Sequence, residues 1–197
     1  MRINIDLSKK SIENAIKQIK AVQKKAQKDL PRVYLEKCVE WIKSEANKNL
    51  WITDIGSAVK AKIQDSWKTS KVVDNKIVLS NNAQFESGKN LAVFVEFGVG
   101  IVGYENSHEM ANKANYEYNV LTWSKDQEGK WAYTLDGGAS RMNIESRYYE
   151  AIGLNGDFQF VTKGSPATMF LFKAWKTFET SGAYKTLWEQ AKAEVIG

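Results

Sequence analysis

The chain has few of the residues that staple, punctuate or switch a fold. It holds one cysteine, Cys38, which excludes an intrachain disulfide and a zinc site built on several thiolates. The only histidine, His108, stands in Glu105-Asn106-Ser107-His108-Glu109; a metalloprotease pattern would need a second histidine where Asn112 sits. No run approaches the roughly 18 apolar residues of a membrane span, and the opening Met1 to Asp6 has no apolar stretch before a small-residue cleavage site. A chain that neither enters a membrane nor leaves by a signal peptide is expected. Two prolines and 43% hydrophobic residues in 197 suit a single globular domain over 1–197 with a sizeable core. Cys38 falls on the apolar face of a helical pattern and His108 in a polar stretch, so they read as a core residue and a surface-loop residue, not a nucleophile pair. No spacing singles out an acid–base pair among 23 acidic residues. No catalytic residue, metal ligand or cofactor is assigned, and the chain is not expected to be an enzyme.

The charge is unevenly placed. Residues 1–50 hold 12 Lys/Arg against 6 Asp/Glu, whereas 51–197 hold 16 against 17, so the net +5 belongs to the N-terminal segment. On a helix, Ile12, Ile16, Ile19, Ala26 and Leu30 share one arc. Lys17, Lys20, Lys24 and Lys28 lie about a third of a turn away. This is an amphipathic helix with a lysine stripe, a solvated face or a face for phosphates or an acidic partner. No arginine or aromatic residue interleaves the lysines, so any nucleic-acid contact is expected to be non-specific.

Ser8 or Ser11 can cap this first helix, which should end or kink near Pro31. Leu35, Cys38, Val39, Ile42, Ala46 and Leu50 continue helical spacing to about 50. Residues 58–68 fit helix or strand, and Lys76 to Ser80, between Asp74-Asn75 and Asn81-Asn82, reads as a strand. Aromatic runs at Tyr116–Trp123 and Lys130–Leu135, with glycine turns at Gly129 and Gly137-Gly138, carry hairpin chemistry. Asp157 to Thr162 is another strand, and Arg141 to Ile152 a loop or short helix. Ser165 as cap and Pro166 at the first helical position start a helix that Gly182 closes before a final one. The expected fold class is α+β: N-terminal amphipathic helices, a central mainly antiparallel β-sheet with long loops, and C-terminal helices. Its segments are a basic helical part over 1–50, a β-rich body over 58–162 with an insertion at about 104–160, and helices over 165–197.

Gly98-Val99-Gly100-Ile101-Val102-Gly103 is literally G-x-G-x-x-G after an apolar run, with Glu117 near the place of a ribose-binding acid. Its context argues against a dinucleotide site. Residues 104–119 carry four asparagines and no apolar helical stripe, and no strand–helix alternation follows. The glycines read as serving a turn or a close backbone approach. Residues 98–115 are expected to form polar loops that order only against a neighbour.

Leu91-Ala92-Val93-Phe94-Val95-Glu96-Phe97-Gly98-Val99-Gly100, followed about 65 residues later by Gly164-Ser165-Pro166-Ala167-Thr168-Met169-Phe170, resembles the tail-completion (head–tail joining) family of long-tailed bacteriophages. That family has basic N-terminal helices, an apolar segment ending Glu-Phe-Gly-Thr-Gly, and Gly-x-Pro-Ala-x-Pro-Phe leading into a helix. Here Val99 replaces the threonine and Met169 the second proline. Many members from phages of Gram-positive hosts carry a tryptophan-rich hairpin similar to Gly129-Lys130-Trp131-Ala132-Tyr133. The resemblance covers about residues 10–195, through two short motifs. It implies a structural phage or prophage virion protein, made in the bacterial cytoplasm and placed at the neck or tail end, that assembles with other neck and tail proteins as a homo-oligomeric ring. Val95, Glu96, Phe97, Gly98, Gly100, Trp131, Gly164, Pro166 and Phe170 are then the assembly candidates. Glu96 would pair across the fold or between subunits, or lie exposed beside a turn. The alternative is a nucleic-acid-binding accessory protein using the lysine stripe.

Overall fold

A computed structural model describes residues 9–85, 88–118, 131–134, 149–154, 157–162 and 164–197. The chain forms two compact units, one of Met1–Asn81 with Leu171–Gly197, the other of Asn82–Phe170. The class is α+β, mostly helical. Among the described residues no helix is long and apolar enough to cross a membrane.

The first unit is organised by one helix, α1 (Lys9–Trp51). Pro31 lies inside it and neither ends it nor divides it in two. Proline removes a helical hydrogen bond, but packing on either side of it outweighs that loss. Leu30 and Val33 are buried against Ala191 and Val195, with Tyr34 and Ile196 at the margin. Ser8 lies outside the described residues, and Ser11 lies within the helix. Further along, Cys38, Val39, Ile42, Ala46 and Leu50 are buried, as their spacing predicts. The outer half behaves differently: Ala15 is buried, but Ile12, Ile16 and Ile19 stay exposed.

The partners of the inner half are α5 (Phe170–Thr180) and α6 (Ala183–Ile196). Gly182 joins them in the left-handed conformation that glycine adopts without a Cβ penalty. Tyr34 meets the edge of Trp188 at 5.2 Å, Trp41 lies 5.5 Å from Phe178, and Lys37 pairs with Glu194 at 2.8 Å.

The C-terminus of α1 is closed by a side chain from the next helix. Carbonyls in the last turn of a helix lack intrahelical donors. Lys60, on α2 (Ser57–Gln64), is buried and gives its ammonium to the Trp51 oxygen at 3.0 Å and the Thr53 oxygen at 2.6 Å. The same cation lies 5.6 Å from the Trp51 ring centroid. Asn47 accepts from the Trp67 indole at 2.8 Å, which brings β1 (Trp67–Thr69) to α1. β1 pairs antiparallel with β2 (Leu79–Asn81), with Trp67 opposite Asn81 and Thr69 opposite Leu79. Asp74 and Asn75 both take positive φ between the bridged Val73 and Lys76, the requirement of a tight hairpin turn. The strand expected at Lys76–Ser80 is thus shifted to Leu79–Asn81.

In the second unit, α3 (Leu91–Phe97) and α4 (Gly100–Glu105) precede three strands, β3 (Trp131–Thr134), β4 (Tyr149–Leu154) and β5 (Asp157–Thr162). The strand order is β3-β5-β4, both pairings antiparallel. Asp157–Thr162 is a strand as expected, and Tyr149–Leu154 is a strand where a loop or short helix was expected. A partner strand outweighs weak local preference there. The turns expected at Gln127–Gly129 and Asp136–Gly138, and residues 141–148, lie outside the described residues. Gly164–Ser165 form the short strand β6.

Lys60→Met keeps the aliphatic stem and removes the donor to two carbonyls. It is expected to lower unfolding stability by about 1–3 kcal/mol, read by urea denaturation. An unchanged midpoint would mean that the α1 terminus does not depend on this cap.

Candidate functional site

Leu91–Phe97, in the stretch expected to be β-rich, is helical for local reasons. The Asn90 side chain accepts from the Val93 amide at 3.1 Å, an N-cap, and the Leu91 amide donates to the Ala83 oxygen at 2.8 Å. At the other end Gly98 takes φ +78 and donates its amide to the Phe94 oxygen at 2.8 Å. That leaves the final carbonyls of α3 without donors from their own helix.

The second motif supplies them. The Thr168 amide donates to the Val95 oxygen at 3.1 Å and its hydroxyl to the same oxygen at 2.8 Å. The Met169 amide donates to the Glu96 oxygen at 3.1 Å, and Val99 bridges Ser165 in antiparallel fashion. Two stretches far apart in sequence therefore form a single joint. The helix expected to start at Pro166 instead begins at Phe170, because amides 168 and 169 are directed to α3 and Met169 has φ +55.

Gly98 is required here on two counts. Its φ is positive, and a Cβ would lie 2.6 Å from the Ala167 nitrogen and the Ser165 oxygen. Gly103, on α4, is similarly close, its Cβ position 2.8 Å from the Gly98 carbonyl carbon. The G-x-G-x-x-G segment thus follows a helix rather than a strand, and the backbone of 165–167 occupies the space beside its first glycine. This is the close backbone approach that its glycines suggested.

A buried polar pair lies beneath the joint. The Glu96 and His108 side chains are 10% and 2% exposed, with Glu96 Oε1 at 3.1 Å from His108 Nε2. The Met110 amide donates to His108 Nδ1 at 2.9 Å, which leaves Nε2 as the nitrogen that donates to the carboxylate. The His108 amide donates to the Tyr118 hydroxyl at 2.8 Å. Of the three readings of Glu96, pairing across the fold is the one observed. His108 is not a surface-loop residue, and with Ala111 also buried, the 104–115 stretch contributes to the core of this unit instead of lying open as a polar loop. The physical reason is the carboxylate: a buried charge needs a donor, and this histidine provides one.

Aromatic rings enclose the pair. Phe97 lies between His108 at 4.5 Å and Tyr116 at 4.7 Å. The Tyr116 hydroxyl donates to the Gly98 oxygen at 2.5 Å. Burial first, and the neighbouring Tyr118 second, push the Tyr116 phenol up to about 12, so it remains a donor at neutral pH.

Val95, Glu96, Phe97, Gly98 and Pro166 thus meet in the joint. Phe170 is fully buried at its end, Gly100 opens α4, and Gly164 lies in β6. Trp131 is in β3 opposite Thr162, and Lys17, Lys20, Lys24 and Lys28 are on α1, so none of these five belongs to the joint. His108, Tyr116 and Tyr118 were not anticipated as parts of it. A lone histidine among asparagines resembles a loop, and nothing local signals its distant carboxylate. Among the described residues no group of three or more His, Cys, Asp or Glu is placed to hold a metal ion.

Comparison with protein-family models, curated proteins and solved structures finds no match.

The joint makes the second family proline incompatible with this chain. Met169→Pro removes the amide bound to Glu96 and cannot reach φ +55, so a loss of roughly 3 kcal/mol or more is expected. Gly98→Ala is expected to cost roughly 2–4 kcal/mol through positive φ and backbone overlap. Denaturant midpoints check both, and tolerance of either would remove the proposed hydrogen-bond register.

Tyr116 also predicts a pH dependence. Its folded pKa is raised from 10.0 to about 12, so the linked stability is fully present below pH 10 and is lost as pH rises through about 12. Tyr34 is shifted to about 12 too, by burial first and Cys38 second. Phenolate absorbance of the folded chain should show a late-titrating component, and Tyr116→Phe should reduce it. A titration complete near pH 10 would contradict the burial of the phenol.

Proposed function

We propose that this chain is a structural virion protein of the tail-completion, head–tail joining type, acting by geometry and protein–protein assembly. The observation that carries the reading is the joint. The two stretches that carry the family resemblance meet, the Thr168 amide and hydroxyl on the Val95 oxygen and Val99 bridged to Ser165, whereas the Met169 amide bond to Glu96 is one that the family's proline would not make. In this reading the mainly antiparallel sheet and its helices form the subunit body, and several copies form a ring among neck and tail proteins of a phage or prophage. The subunit is made in the host cytoplasm and resides in the virion.

A second reading, non-specific nucleic-acid binding, draws on Lys17, Lys20, Lys24 and Lys28. All four are exposed, and none forms an ion pair among the described residues.

Inactivating the gene in its phage or induced prophage is expected to leave separate heads and tails, with joined particles restored by wild-type protein supplied in trans. Gly98→Ala should restore fewer particles than wild type under the same supply. Normal tailed particles without the protein would reject the joining role. Electron microscopy of concentrated protein should then show whether rings form without neighbours.

A further inference from the structure

The outer half of α1 carries two adjacent rows of half-exposed isoleucines and exposed lysines, beside the buried Ala15. Ile12, Ile16 and Ile19 follow i, i+4, i+7 spacing and are 42%, 47% and 51% exposed. Single exposed apolar residues are ordinary, whereas these three lie in a row on one helix face. Lys17, Lys20, Lys24 and Lys28 run beside that row, all exposed. Residues 9–28 contain seven lysines against one acid, Glu13.

The occupant has to satisfy both rows. A nucleic-acid backbone would meet the lysines and leave the isoleucines in water, and no arginine or aromatic residue occurs from Lys9 to Pro31 to read or stack on bases. A lipid surface is served by helices with tryptophan, phenylalanine or leucine on the apolar face, and the one leucine of this arc, Leu30, is buried against α6. A second copy would set one lysine stripe against another, with only Glu13 from each to offset it. Charge complementarity leaves an apolar ridge flanked by carboxylates. We propose that the outer half of α1 docks an acidic amphipathic helix of another protein, with Ile12, Ile16 and Ile19 supplying the buried contact and the lysines setting approach and register. This goes beyond the virion role and stands without it, since it rests on exposure and charge alone.

The test titrates the full chain with a labelled helical peptide of repeating glutamate and leucine, a duplex DNA without designed sequence, and phosphatidylglycerol–phosphatidylcholine vesicles, all at near-physiological salt. Peptide binding is expected to be the tightest of the three and to weaken with salt. Ile12→Ser/Ile16→Ser/Ile19→Ser should weaken it about tenfold or more, since loss of buried apolar contact appears mainly in the off-rate. Lys17→Gln/Lys20→Gln/Lys24→Gln/Lys28→Gln should weaken it similarly and flatten the salt dependence. Circular dichroism checks that both variants keep their helix content. On the unchanged chain, amide exchange should slow within residues 9–29 when the peptide binds. Tighter binding of DNA or vesicles than of peptide, peptide affinity unchanged by the isoleucine substitutions, protection outside 9–29, or no peptide binding would each overturn the proposal.

Discussion

The second unit depends on two carbonyl oxygens that their own helix cannot satisfy. α3 ends at Phe97 because Gly98 turns the chain, and the turn leaves Val95 and Glu96 oxygens without intrahelical donors. Buried backbone acceptors left unpaired cost about 1–3 kcal/mol each. The chain answers with amides 168 and 169, and that choice governs the geometry nearby. Residues 168 and 169 cannot be helical while their amides are directed to α3, so α5 starts at Phe170. Gly98 cannot carry a side chain where Ser165, Pro166 and Ala167 pass. Met169 has to take φ +55, a conformation uncommon for any residue but glycine or asparagine.

Glu96 serves this arrangement through both its backbone and its side chain. Its carbonyl accepts from Met169 and its carboxylate faces His108, so one residue ties the second motif to the 108–118 segment. Met110 and Tyr118 fix the histidine's ring and backbone, and Tyr116 returns to Gly98 through its hydroxyl. The polar groups close on one another under a cover of aromatic rings. This closed arrangement allows a charged side chain inside a unit of modest size.

The sequence discloses this fold wherever the cause is local. The inner stripe of α1 from Cys38 to Leu50, the strand at 157–162 and the glycine between the last helices follow from spacing, flanking turn residues or φ. It misleads where distant partners decide. Pro31 reads as an end or a kink, and the helix does not end there, since Leu30 and Val33 are held by α6 residues far along the chain. Ser165-Pro166 reads as a helix start, yet its successors are bound to α3. His108 reads as loop because its carboxylate is 12 positions away, outside any local period. The site was legible as two motifs and not as one joint, since no single-sequence pattern states that residues 95–99 and 165–169 meet.

The two compact units also divide the chemistry of the chain. The joint engages its polar atoms internally and holds the two motifs in one register. The basic excess lies elsewhere, in residues 1–50, and the outer half of α1 keeps three isoleucines in water beside it. Exposed charge acts over a Debye length of about 8 Å at physiological salt, whereas apolar contact acts only on touching. Lysines can therefore orient an approaching acidic helix before the isoleucines engage. Local rigidity in one unit and charge-guided contact in the other are separable properties, and substitutions in the joint should alter stability while those on the outer half of α1 alter association.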